Sequence, residues 1–472
     1  MMQSLTEWNK PASSPVSTEP RLLLNHPSAT FERCISSYYY NFHASHPLVV
    51  PQASMRLLLK EEALQPLLAV MHWVGSLYIS PEAVQNYLLR SATLSVERME
   101  DASADGFALQ AMIVQLIALD GTGHRQQAIA LLIRAKEVAL RLGLNYDSYF
   151  QSSIAPSSVL DESWRRTWWE LYVLDGMFAG AHRATTFSLF DTPTSVGLPC
   201  EEDEYEREQI PTPQTVEDLD DRDLTSDNRP FSSFAYRILS AQNLGKIMQK
   251  LHFAESDDEL QKQLEVLLTN WRHNLPASKR ESMLQDGRPD EMMFQAHMLN
   301  HTTSILLHRS RAQLDVTSTK FIDACAASDA SEEDYGFTRR INLHTRHVLF
   351  SANEICNMVT HRTPLIWHTH FFMCAIVLSS IVQLSAWSAR LNTDEDLVRE
   401  KVRLCIGALR QISTVWGAAG RALSQVQEVA GQINSMRKQS RQMEQFLIDV
   451  TDEDVMNLFE TESSTIADME TV

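Results

Sequence analysis

Apolar residues along this chain recur at intervals of three and four, and almost nowhere at intervals of two. That spacing lines up one face of a helix and would scatter the same residues over both faces of a strand. Leu57, Leu58, Leu64, Leu67, Leu68, Met71, Val74, Leu77 and Tyr78 follow it between Pro51 and Pro81. Gly106 to Leu119 and Ala128 to Leu142 are two further apolar-faced segments, and Asp120-Gly121-Thr122-Gly123 between them predicts an antiparallel helical hairpin. Gly143 fits the left-handed position just past the second helix. The next helix is expected to start at Ser158, whose hydroxyl can cap the first turn with Asp161 three residues on, and to run to Gly180. Helical patterns resume at Phe231, with elements expected over 231–254, 257–275, 290–312, 338–361, 364–389, 395–418 and 421–448. Residues 200–230 lose periodicity, contain Pro211, Pro213 and Pro230, and read as a long solvated loop, with 313–337 as a second connection. The fold class that follows is all-α: a large multi-helix domain of packed helical hairpins with a long acidic loop.

The 472 residues divide, on this reading, into a disordered N-terminal segment 1–30, one helical domain over 31–450 that includes the acidic loop 201–230, and an acidic tail over 451–472. Net charge is −19, and it is localised. Residues 201–229 hold twelve acids against Arg207, Arg222 and Arg229, and residues 451–472 hold seven acids and no Lys or Arg. The rest is nearly neutral, with no basic stripe of the kind that supplies DNA affinity through phosphate neutralisation. Met1 to Pro20 is polar and lacks the basic and apolar regions of a signal peptide. Phe371 to Trp387 is interrupted by Ser379, Ser380, Gln383 and Ser385 and reads as a buried core helix, so no membrane partner is expected. Six dispersed cysteines, at 34, 200, 325, 356, 374 and 405, suggest reduced thiols rather than a disulfide framework or zinc cluster.

Candidate chemistry is sparse. His297 and His301 share a helix face, with His308 seven residues further on, but His-Met-Leu-Asn-His lacks the glutamate of a metalloprotease helix. His368 and His370 project to different faces and read as structural. Asp218, Asp220, Asp221 and Asp223 resemble a magnesium-binding string, yet they lie in a proline-flanked loop rather than on a helix lining an apolar cavity. Gly121-Thr-Gly123 follows a helix and lacks a third glycine, so it is no dinucleotide loop. No catalytic, cofactor-binding or metal-ligating residue, and no cofactor, is assigned from these patterns.

The most distinctive segment is Asp161-Glu-Ser-Trp-Arg-Arg-Thr-Trp-Trp-Glu-Leu-Tyr-Val-Leu-Asp175. On a helix Trp164, Trp168, Leu171 and Asp175 share one face, and Arg165, Trp169 and Tyr172 the next. Asp161 with Arg165, Glu162 with Arg166 and Arg166 with Glu170 are opposite-sign pairs four residues apart, so the helix can bury three tryptophans while its arginines stay paired or stacked. Glu162, Arg165, Arg166, Trp168, Trp169 and Asp175, followed by Leu198-Pro199 and the acids 201–204, resemble the middle homology region of fungal-specific transcription factors. His46-Pro47 to Ser80 resembles that family's opening helices, and Gln110 to Asn145 its central hairpin; weaker similarity extends the resemblance over about 31–450.

The resemblance implies a nuclear transcription regulator, not an enzyme, that controls a fungal metabolic pathway or secondary-metabolite gene cluster through its helical regulatory domain. Its partners would be transcription coactivators, with a small-molecule effector and a homodimer also compatible. Members usually carry an N-terminal binuclear zinc cluster of six closely spaced cysteines, whereas only Cys34 lies in the first 199 residues here. The expectation is therefore a DNA-binding partner, or a zinc-cluster domain missing from this chain. The rival reading is an all-α enzyme or small-molecule-binding protein using the histidine-bearing helices. In the tail, acids alternate with Val455, Met456, Leu458, Phe459, Ile466 and Met469, a pattern shared by disordered activation segments and, in blander form, by ordinary solvated termini.

Overall fold

The computed structural model describes residues 27–449 apart from 60, 152–157, 182–183, 225–228, 285, 315–321, 323–340, 390 and 392–393. Among them the long elements are all helices: α1 (Pro27–Asn41), α2 (Gln65–Ile79), α3 (Glu82–Glu97), α4 (Gly106–Thr122), α5 (Arg125–Leu142), α6 (Ser158–Ala181), α7 (Ser233–Ala254), α8 (Asp258–His273), α9 (Glu291–His308), α10 (Leu343–Val359), α11 (Phe372–Ser388), α12 (Glu395–Ile412) and α13 (Gly417–Asp449). Most neighbours in sequence pack against each other, α1 with α2, α2 with α3, α4 with α5, and α9 through α13 in succession. The chain closes on itself where α13 returns to α4, and α6 crosses between α4, α5 and α7. A single large apolar core runs from Cys34 to Ile433, and a smaller cluster of Ile247, Ala254, Leu264, Leu268 and Leu307 lies between α7, α8 and α9.

Two helices escape the periodicity analysis. The core face of α1 is Cys34, Ser37 and Tyr38, small or hydroxyl-bearing residues that score poorly as an apolar stripe, and α1 begins within the segment assigned to disorder. The buried stripe of α3 is one residue wide: Val84, Leu88, Ala92 and Val96. The first predicted helical segment is also two elements, a short helix Gln52–Leu58 and then α2. The connection expected over 313–337, and the whole tail 451–472 with Leu458 and Phe459, lie outside the described residues apart from 313, 314 and Ile322.

Glycines decide where helices touch. Gly143 ends α5 at φ 72°, with the Leu144 amide reaching back to the Ala139 carbonyl at 3.1 Å, as its sequence position predicts. The α4–α5 turn is tighter than expected, because α4 continues through Gly121 and Thr122 and only Gly123 turns, at φ 97°. Position 121 needs glycine because Trp416, just before α13, lies where a Cβ would be, 2.5 Å from the ring. At Gly75 a Cβ would fall 1.9 Å from the Cys34 carbonyl oxygen, so backbone approach between α1 and α2 requires glycine. Gly75→Ala is therefore expected to destabilise the domain by about 3 kcal/mol, the upper end of overpacking costs, because rigid backbone cannot move aside. Denaturant unfolding measures it, and a variant as stable as the parent would mean that α1 does not seat on α2 this closely.

Candidate functional site

The family-motif residues converge on α6, a helix enclosed on nearly every side. Glu162, Arg166 and Glu170 are 0% exposed and Asp175 is 4% exposed, alongside Trp168 and Trp169, both fully buried. A buried charge is tolerated only when paired and hydrogen-bonded, so each of these groups dictates the position of something else. Glu162 Oε1 accepts from Arg166 Nε at 2.9 Å and from the Cys200 amide at 2.9 Å, and its other oxygen accepts from Arg165. Arg166 Nη1 donates to Glu202 at 2.6 Å, and its Nη2 to the Cys200 carbonyl at 3.0 Å. The guanidinium lies 3.9 Å above the Tyr205 ring, whose hydroxyl donates to the Val49 carbonyl at 3.2 Å.

One turn further, Glu170 receives Arg237 of α7 through both terminal nitrogens, at 2.5 and 3.0 Å, and sits 2.7 Å from His46 Nδ1. Burial alone would push this carboxyl up, but Arg237 and His46 hold it down to about 2. Asp175 is 2.7 Å from Lys136 Nζ of α5 and accepts from the Ser188 hydroxyl (3.1 Å) and the Leu189 amide (2.9 Å). Trp169 Nε1 donates to the Gly197 carbonyl at 2.9 Å. Leu198 and Pro199 follow directly: the Leu198 amide donates to the Gln214 carbonyl at 2.7 Å, and the Pro199 carbonyl accepts from Ser232, the residue that caps α7. The motif is thus a clamp in which one helix holds the 197–205 strap, α5 and α7. Each of its carboxylates is already engaged by a cation or an amide, so the arrangement serves to hold elements together rather than to offer a group to a substrate.

Several expected pairings resolve differently. Arg165 reaches Glu162, three residues back, and Arg166 takes Glu202 from the strap while Glu170 turns to Arg237. Two of the three tryptophans are fully buried, whereas Trp164 is half-buried against Phe107. The acidic loop is not simply solvated: it contains short helices Glu202–Glu206 and Val216–Asp220, each opened by a capping box, with Tyr205 and Leu219 buried. Asp218 is the capping carboxylate of Thr215, and Asp223 accepts from Asn274. Sequence reasoning missed His46, Lys136, Tyr205 and Arg237 as members of the clamp. Only Arg237 carried a signal, as the lone charge in the run Ser233 to Ala241.

The histidines of α9 do not converge. His297 meets the Lys279 carbonyl at 3.3 Å and the edge of Trp271, His301 is buried near Phe350, and His308 ends the helix among residues of α8 and α10. His368 pairs with Glu291 at 2.6 Å and stacks on Phe294, and His370 pairs with Asp120 at 2.9 Å, in line with structural roles. A cavity of about 80 Å³ lies between α6, α7, α9 and α11, lined by Met177, Leu244, Met298 and Phe371 with Thr302 and Arg309 among its polar groups. None of His297, His301 and His308 lines it. No helix among the described residues is long and apolar enough to cross a membrane, and α11, over most of Phe371 to Trp387, is buried in the core.

Residues 35–273, which hold the whole clamp, match the fungal specific transcription factor domain. The chain is also 39% identical over 447 residues to the C6 finger domain transcription factor iacK of Pestalotiopsis fici, covering 94% of this chain and 66% of the relative. The chain belongs to the fungal specific transcription factor domain family. It spans just under two thirds of that curated relative's length.

Glu170→Ala leaves Arg237 buried without a counter-charge and is expected to cost about 3–5 kcal/mol, whereas the double variant Glu170→Leu with Arg237→Met should cost clearly less than the sum of the single changes. Additive costs in denaturant titrations would show that the two side chains do not act as a pair. Acid should weaken the fold in two windows. His43 and His301, held down to about 3 by burial, contribute stability fully present above their ordinary 6.5 and lost progressively as pH falls from there toward about 3; Glu170 adds a loss as pH falls from 4.5 toward about 2. Melting temperatures that stay level from neutral pH to pH 4 would contradict this.

Proposed function

We propose that this chain is the regulatory region of a nuclear transcription regulator that controls a fungal metabolic pathway or secondary-metabolite gene cluster. The observation that carries the reading is the match of residues 35–273 to the fungal specific transcription factor domain, with the clamp at Glu162, Arg166 and the Leu198-Pro199 strap inside it. The charge distribution supports a division of labour. A chain with net charge −19 and no basic stripe gains little from phosphate contacts, so DNA engagement comes from a zinc-cluster domain or a DNA-binding partner. Such a cluster needs six closely spaced cysteines, whereas Cys34, Cys200, Cys356, Cys374 and Cys405 sit on separate elements.

Two further features bear on regulation. The cavity between α6, α7, α9 and α11 has an almost wholly apolar wall, but at about 80 Å³ it is smaller than the pockets that enclose small-molecule ligands, so an effector would need the surrounding helices to part. The tail supplies a coactivator contact, because Leu458 and Phe459 alternate with its seven acids in the pattern of segments that dock into an apolar groove.

Fusion of the full chain to a heterologous DNA-binding domain tests the reading. Reporter output is expected to rise severalfold above the DNA-binding domain alone, to persist in part with residues 451–472 fused by themselves, and to fall toward background when Leu458 and Phe459 become alanine. Background output from every fusion would remove the activator reading of the tail, and an unchanged transcriptome after deletion of the gene would remove the regulator reading itself.

A further inference from the structure

Away from the clamp, the end of α9, the first turns of α10 and the middle of α8 bring together side chains that the family motif does not use. His308 closes α9 and is 1% exposed. Its Nδ1 lies 3.1 Å from Nδ1 of His344 and 3.2 Å from Nε2 of Gln261, while its buried Nε2 has no hydrogen-bond partner. His347 follows His344 by three residues on α10, so the two project from neighbouring turns of one face. The His347 ring packs on His308 with centroids 4.5 Å apart, and its Nε2 is 2.9 Å from Glu265 Oε1. One donor atom each from Glu265, His308 and His347 lies within 4.8 Å of the others.

The hydrogen bonding of His308 is what points to a ligand. With the Gln261 amide and His344 both directed at Nδ1, that nitrogen is the acceptor of a neutral ring, and the proton is left on a buried Nε2 that faces no acceptor. Such an orphaned donor costs the desolvation of the group. A cation at Nε2 removes the problem: the His308 proton moves to Nδ1, and His344, its own proton shifting from Nδ1 to Nε2, accepts it at Nδ1 as the outer-shell partner that fixes a ligating imidazole. Gln261 keeps its bond to the Leu307 carbonyl at 3.1 Å. Arg311, the arginine that acts on His308, is already held by Asp258 and by the carbonyls of Ala254 and Glu255. Glu265 and His347 are about a quarter exposed, at 26% and 28%, which gives an ion a way in.

We propose that Glu265, His308 and His347 form a site for a divalent transition metal, with His344 as a positioning residue. Two imidazoles and one carboxylate, with water in a fourth place, are a donor set that suits zinc. The ion would tie α8, α9 and α10 together beside the smaller apolar cluster. The metal-free expectation for the α9 histidines came from α9 alone, where His297, His301 and His308 do not meet; the other donors come from α8 and α10.

The test uses the full chain, stripped with chelator, loaded with zinc or cobalt(II), and dialysed. One equivalent of retained metal, a cobalt(II) visible spectrum of low coordination number, and a higher melting temperature with zinc are expected. Glu265→Gln and His347→Ala, both at partly exposed positions where folding can be verified by circular dichroism, should abolish retention, and His344→Ala should weaken binding about 10–100-fold. His252→Ala, at an exposed position near the end of α7 and outside the donor set, should leave it unchanged. Failure of the parent chain to retain zinc, or retention unaltered in Glu265→Gln and His347→Ala, would overturn the proposal.

Discussion

A helix enclosed on nearly every side can carry charge on its buried faces only where its surroundings bring the counter-charge to it, and α6 carries four such groups in fourteen residues. Glu162, Arg166, Glu170 and Asp175 leave almost no surface to water, so their hydration must be replaced by fixed partners. This requirement is directional in a way that apolar packing is not. Arg166 demands Glu202 and the Cys200 carbonyl, Glu170 demands Arg237 and His46, and Asp175 demands Lys136 and the Leu189 amide. The result sets the strap, α5, α7 and the 46–50 segment in one arrangement relative to α6.

The acidic strap acquires a different meaning from this. Its charge looks like a solvating feature when read along the chain, yet much of it is consumed locally. Glu202 meets Arg166, Glu201 meets Lys279 at 2.5 Å, Asp203 meets Arg288 at 3.1 Å, and Glu204 and Asp218 serve as capping carboxylates. Lys279 and Asp290 extend the network to α9 by way of Ser233, at the start of α7. A segment dense in acid therefore functions as wiring between distant helices. Buried pairs of this kind are weak evidence for stability as such; what they contribute is a penalty on every alternative packing that leaves one partner alone.

Close backbone approach supplies the second constraint. Gly75 admits the Cys34 carbonyl, and Gly121 admits the Trp416 ring, so the first helical pair and the closure of α13 onto α4 depend on positions without side chains. Both lie far in sequence from what they accommodate. Trp416 belongs with α13, some three hundred residues after Gly121, and its seating draws the end of the domain back to its central hairpin.

The amino-acid sequence by itself determined the helical class, most long elements and the motif that places the chain in its family, because the period of apolar residues and the spacing of Trp, Arg and acids are local properties of one helix. It also located the α5 stop at Gly143, since left-handed backbone is a local demand. Contacts between helices were decided elsewhere. Arg166 and Glu170 satisfy each other on a helical wheel, and only the tertiary structure brings Glu202 and Arg237 near enough to compete and win. The stripe of α1 was illegible because its buried face is cysteine, serine and tyrosine, residues whose burial depends on the neighbour they meet. The grouping of Glu265, His308, His344 and His347 draws on three helices, and no spacing along the chain encodes it. Local periodicity fixes which residues share a face; which faces meet depends on long-range packing, where burial of charge and the absence of a Cβ select one arrangement among many.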